Sequence, residues 1–258
     1  MGITLWDYFV ATAARISDRA LTGVAGLADW QAGRAELHRQ FMRSMGLDPL
    51  PPRCDLGLTD YGEFAGRGYR ARRIAYRILP DCWATAHVYY PDPAPRGPQP
   101  GVLYACGHNA IGTFGYQPHG VLWARRGYVC LVYDTVEQHD NPGDHHGTYS
   151  GRRMDWLSLG YSGAGGELWN SIRALDVLAG LPEVDPARIG ATGVSGGGAH
   201  SFYITVADSR IAAAASACGV ALVKYTLADR HLFSHCDCMY YHNPDQRDIC
   251  EFAALIAP

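Results

Sequence analysis

The chain has 258 residues, 48% of them hydrophobic and 18% charged, with a formal net charge of −3. That is enough apolar sequence for the core of one domain plus an extension, and the slight acidity gives no electrostatic ground for a nucleic-acid or anionic membrane partner. No apolar run approaches the length that spans a bilayer, and Met1-Gly-Ile-Thr-Leu-Trp-Asp-Tyr8 lacks the basic-then-apolar order of a secretory signal.

Residues 3 to 22 place Trp6, Phe9, Val10, Ala13 and Ile16 on one stripe, which predicts an amphipathic helix. A second helix is predicted from Asp29, as N-cap, to Met45, with Leu37 and Phe41 at helical spacing and Gly46 closing it. Asp48-Pro-Leu-Pro-Pro-Arg53 cannot continue a helix and reads as an extended connector. Residues 1–53 are therefore expected to form a helical arm and connector, and residues 54–258 the main domain. Beyond Tyr69 the period shifts to two: Ile74, Tyr76 and Ile78 alternate with polar or small residues, as does Trp83 to Tyr90, suiting a half-exposed strand pair at a sheet edge.

Gly101 to Cys106 and Tyr128 to Tyr133 are continuous apolar runs, the pattern of strands covered on both faces, with a helix-sized segment around His119 to Arg126 between them. Strand, helix, strand reads as a right-handed parallel crossover. Asn141 to Gly166 is a long glycine-rich loop containing Asp144-His145-His146, and a helix is predicted over Glu167 to Ala179. After the short strand Ile189 to Thr192 come a helix from Gly196, a further strand Ile211 to Cys218, an irregular His- and Cys-rich stretch, and a final helix from near Asp245. The eight cysteines (54, 82, 106, 130, 218, 236, 238, 250) show no disulfide framework. Cys106, Cys130 and Cys218 sit in strand-like runs, where a thiol acts as a small hydrophobe, so a reducing, cytoplasmic setting is favoured.

Between the strand ending at Thr192 and the following helix lies Gly193-Val194-Ser195-Gly196-Gly197, which fits the G-x-S-x-G nucleophile elbow. A serine hydroxyl is a poor nucleophile and must stand clear of the sheet, within reach of a base and of a carbonyl. A strained turn does this, and glycines at 193 and 197 remove the side chains that would collide there. The helix beyond points its free N–H groups towards the place where an attacked carbonyl oxygen would gain charge. Ser195 is the expected nucleophile.

The order of elements, with Pro182-Glu-Val-Asp-Pro-Ala-Arg-Ile-Gly-Ala-Thr-Gly-Val-Ser-Gly-Gly-Gly198, Gly101-Val-Leu-Tyr-Ala-Cys-Gly-His-Asn109 and Gly127-Tyr-Val-Cys-Leu-Val-Tyr-Asp134, resembles the α/β-hydrolases. More narrowly it resembles the acetyl xylan esterase-like and dienelactone hydrolase-related enzymes. The resemblance implies a mostly parallel central sheet with helices on both faces, and a serine hydrolase that cleaves small carboxylic esters, such as acetylated carbohydrate, without a cofactor. It also implies an oxyanion hole from the backbone at His108 and at Gly196. The triad of this superfamily runs Ser, Asp or Glu, His, and its acid follows a strand that would begin after Ala257-Pro258. The expectation is thus a fold incomplete at its C-terminus, lacking the triad Asp and His and inactive alone, with Ile211–Cys218 as an exposed edge that favours self-association.

Histidines 231, 235 and 242, with Asp229, Asp237 and Asp245, offer an internal substitute for the triad, though on the wrong element. His200 is expected to face away from Ser195. His231, His235, Cys236, Cys238 and His242 also raise the question of zinc, but Cys-x-Cys is tighter than the usual ligand spacing, and the reading is a pocket-lining loop with no metal. A prolyl oligopeptidase-type peptidase and a non-catalytic scaffold are the competing functions. No propeller repeat accompanies the chain to favour the former.

Overall fold

The computed structural model describes residues 2–109, 111–136, 138–141, 155–229 and 237–257. The helices run, in chain order, α1 Leu5–Arg19, α2 Leu27–Ser44, α3 Gly112–Gly115, α4 Gln117–Arg125, α5 Asp155–Ser158, α6 Gly163–Gly180, α7 Gly196–Ala207, α8 Val223–Ala228 and α9 Ile249–Ala254. The strands are β1 Thr59–Gly66, β2 Tyr69–Leu79, β3 Cys82–Pro91, β4 Gln99–Ala105, β5 Val129–Tyr133, β6 Val184–Val194 and β7 Ile211–Ala217. Among the described residues they form one seven-stranded sheet in the order β1-β2-β3-β5-β4-β6-β7. The first three pair antiparallel, β3 meets β5 antiparallel, and β5, β4, β6 and β7 run parallel. The expected crossover is present: Gly101 on β4 lies opposite Val129 on β5, with α4 between them in sequence.

Helices cover both faces, as the fold class requires. On one face α2, α6 and α7 bury Phe41, Leu168, Leu175, Tyr203 and Ile204 against Leu103 and Leu131. On the other, Ala124 of α4 packs with Val102, Tyr104, Cys130 and Val132. The continuous apolar runs of β4 and β5 follow from this double cover. Helix α2 is no loose appendage, because the Phe41 ring meets Phe252 edge-on at 5.1 Å and tilts against Tyr203 at 6.3 Å.

Three local expectations need correction. The edge beside β2 and β3 is taken by β1, whose Asp60, Gly62 and Glu63 break the alternating pattern and which carries a register shift between Asp60 and Glu63. Helix α2 starts at Gly26 as N-cap, with Asp29 in its first turn accepting the Ala25 N–H at 3.1 Å. The last helix starts at Ile249, later than the expected start near Asp245: Asp248 and Glu251 form its capping box, whereas Asp245 is paired with Arg43 at 2.7 Å.

At the other end of the sheet β7 is the outermost strand, and Ala212 to Ala217 are exposed. A surface groove of about 430 Å³ runs alongside, lined by Val102, Trp123, Tyr128, Ile189, Ala213 and Ala215.

Candidate active site

Strand β6 enters the middle of the parallel half-sheet, and at its end the chain reverses into α7. Ser195 is the residue at the reversal, with φ 59° and ψ −119°, a combination that costs a side-chain-bearing residue free energy and persists only where its surroundings impose it. Three contacts impose it. The Ser195 N–H donates to Ala217 O at 2.9 Å, the Ala199 N–H donates to Ser195 O at 3.1 Å, and Gly219, at φ 87°, brings its backbone directly onto the Ser195 carbonyl. The Ser195 side chain is exposed and does not cap α7. Among the described residues no side chain hydrogen-bonds to its hydroxyl.

The flanking glycines are sterically required. A Cβ on Gly193 would stand 2.6 Å from Ala105 O, and one on Gly197 would stand 2.8 Å from the Ala105 carbonyl carbon. The end of β4 and the start of α7 therefore touch backbone to backbone, and the loop after β4 is pressed against the turn. Gly107 in that loop packs on the Val194 carbonyl and donates its N–H to Tyr116 Oη at 3.1 Å. His108 follows, its ring lying over Gly196. The structure thus brings together Ser195, Gly196, Gly193, Gly197 and His108. Asn109 shapes the rest of the loop, accepting the Ile111 N–H at 2.7 Å and donating to Gly112 O at 3.2 Å.

Behind the turn is a buried polar layer that sequence reasoning missed. Asp134, at the end of β5, accepts from Thr85 Oγ1 at 2.8 Å and from the Thr113 N–H at 2.7 Å, fixing the start of α3. Burial raises its carboxyl above the usual range, an effect those hydrogen bonds oppose without cancelling. Its carbonyl accepts from Asn170, whose side-chain oxygen accepts from Tyr76 Oη at 2.8 Å. Cys106 is held by burial well above the ordinary thiol range, which makes it an inert filler and no rival nucleophile.

His200 is fully buried, with Nδ1 3.9 Å from Glu167 Oε2 on α6. His242 is turned to Tyr161 O at 3.1 Å, and Asp245 is committed to Arg43. His145, His146, His231, His235 and Cys236 lie outside the described residues, as does the side chain of Asp237. Cys238 is buried, its sulfur 3.3 Å from His108 Nε2. Among the described residues no helix is long and apolar enough to cross a membrane.

This architecture has known counterparts. A candidate acetyl xylan esterase from Bacteroides fragilis superposes with a TM-score of 0.80 at 16% identity, over 100% of this chain and 74% of that one. Methylesterase BT1017 gives 0.67 at 22% identity over 96% of this chain, which spans 54% of that protein. A glucuronoyl esterase from Solibacter usitatus gives 0.67 at 17% identity, over 91% of this chain and 74% of that one. At such identities these likenesses establish the α/β-hydrolase fold. Family assignment comes from sequence: residues 63–225, more than half the chain, match the family described as acetyl xylan esterase (AXE1), and the chain belongs to that family of carboxylic ester hydrolases.

Proposed function

We propose that Ser195 is the nucleophile of an esterase that cleaves small carboxylic esters, acetylated carbohydrate among them, through an acyl-enzyme. The observation that carries this is the Ser195 backbone: φ 59° and ψ −119° at a strand-to-helix turn, with the side chain exposed. Such strain in a side-chain-bearing residue clusters at active sites, and here it lifts an exposed hydroxyl clear of the sheet. Attack by Oγ on the ester carbonyl forms a tetrahedral oxyanion, for which the backbone N–H of Gly196 at the start of α7 and that of His108 in the adjoining loop are the donors. Collapse expels the alcohol and leaves the acyl group on Ser195, and water then releases the acid.

The base that takes the Ser195 proton is not among the described side chains in contact with it. Hydrolysis of p-nitrophenyl acetate by this chain and by Ser195→Ala tests the reading. The expected result is hydrolysis above background that Ser195→Ala lowers. An undiminished rate in that variant would overturn the assignment.

A further inference from the structure

Three elements distant in sequence bring metal-ligand side chains to one buried point behind the turn. Glu167 comes from α6, His200 from the second turn of α7, and Cys238 from the short 3₁₀ helix Asp237–Met239. Their ligand atoms lie within 4.8 Å of one another, and the residues are 1%, 0% and 3% exposed. His108, half-buried on the loop after β4, stands beside Cys238, its Nε2 3.3 Å from Cys238 Sγ. We propose that Glu167, His200 and Cys238 hold a zinc ion, with the neighbouring His108 closing on it as the fourth ligand.

The geometry and the donor chemistry both favour this ion. Zinc bonds of about 2.0–2.3 Å in a tetrahedron set ligand atoms about 3.3–3.7 Å apart. The sulfur and His108 Nε2 already stand at that spacing, and His200 Nδ1 and Glu167 Oε2, 3.9 Å apart, nearly do. A thiolate with two imidazoles selects zinc over magnesium or calcium, which want an all-oxygen shell. One thiolate and one carboxylate balance the 2+ charge, so a neutral cluster replaces separately ionisable groups in a dry interior. The carboxylate is oriented for it: Glu167 Oε1 accepts the Val136 N–H at 3.0 Å, which turns Oε2 towards His200.

Its effect would be mechanical. The ion would join the elbow helix, the loop carrying His108 and the segment at Cys238, and so fix the ring that rests on Gly196. This site does not depend on the esterase reading, since it needs no substrate and is read by metal content.

The test is zinc stoichiometry of the purified chain after expression with zinc, together with cobalt(II) substitution to report sulfur ligation. The expected result is about one zinc per chain, a thiolate-to-cobalt charge-transfer band, and a melting temperature lowered by a chelator. Cys238→Ser should lose the band, and Glu167→Gln should weaken retention about 10-fold or more. Should Cys238→Ser fail to fold, Glu167→Gln and the chelator response still decide. A folded, cooperatively melting parent with no stoichiometric zinc and no stabilisation by added zinc would overturn the site. So would a cobalt band unchanged in Cys238→Ser, which would place the metal on one of the other cysteines.

Discussion

The imidazole of His108 rests on the residue that follows Ser195: a Cβ at Gly196 would lie 2.7 Å from its Cε1 and 2.8 Å from its Nδ1. The contact couples the loop after β4 to the N-terminus of α7, the two segments whose N–H groups are assigned to the oxyanion. It accounts for Gly196, while backbone of Ala105 crowds Gly197 and backbone of Ala217 crowds Gly198, so three glycines open the helix despite a helix-forming cost of about 1 kcal/mol for each.

Gly197→Ala should be severely destabilising. The added methyl would sit 2.8 Å from the Ala105 carbonyl carbon, a neighbour fixed in the parallel ladder between Ala105 and Gly193. Backbone on both sides leaves no side chain to move aside, so the loss should reach about 3 kcal/mol or more. Urea unfolding checks this. A variant within experimental error of the parent would mean that the β4–α7 approach is looser than described.

Ser195→Gly should melt higher than Ser195→Ala. Both remove the hydroxyl, but only glycine relieves the backbone at φ 59° and ψ −119°. The difference should be about 1 kcal/mol in favour of glycine. Equal stability, or a more stable alanine variant, would show that the turn is unstrained.

His87 should give the fold a pH dependence just below neutrality. Burial, with Arg73 adding to it, lowers the imidazole below its ordinary value of 6.5, against a small opposing pull from Asp140. Its ring stacks edge-on with Phe64 at 5.6 Å. With the folded value depressed, the unfolded chain takes up the proton first, so the contribution is complete above 6.5 and is lost as pH falls through the folded value. Denaturant midpoints measured from about pH 7.5 down to about pH 5.5 should fall more steeply in the parent than in His87→Gln. Parallel profiles would remove His87 as the cause.

Strand β7 should mediate self-association. It is the outermost strand, Ala212 to Ala217 are exposed, and Ile211 to Cys218 contains neither charge nor proline. Sedimentation at rising concentration should show species heavier than the 28.1 kDa chain, and Ala214→Lys should shift them towards monomer. A parent that stays monomeric throughout would contradict this.

What could be read in the sequence divides along physical lines. Val102 to Tyr104 and Val129 to Tyr133 were legible because strands covered on both faces need apolar residues at every position. Ser195 was legible because its turn writes its steric needs as glycines at fixed offsets. Strand β1 was hidden because an edge strand is paired on one side only and tolerates Asp60, Gly62 and Glu63. The start of the last helix was placed near Asp245, but Asp245 is held by Arg43 and the helix begins only after Asp248. The His- and Cys-rich stretch raised Cys238 as a ligand with the wrong partners: Glu167 and His200 join it only through the packing of separate elements, which no local spacing records.

The assignment of Ser195 is tested most directly by covalent labelling. The folded chain is exposed to a fluorophosphonate, and the modified residue is located by peptide mass spectrometry, beside Ser195→Ala treated identically. The expected result is a single adduct on Ser195, absent from the variant. Adducts on other residues only, or equal labelling of Ser195→Ala, would contradict the nucleophile assignment and with it the proposed esterase mechanism.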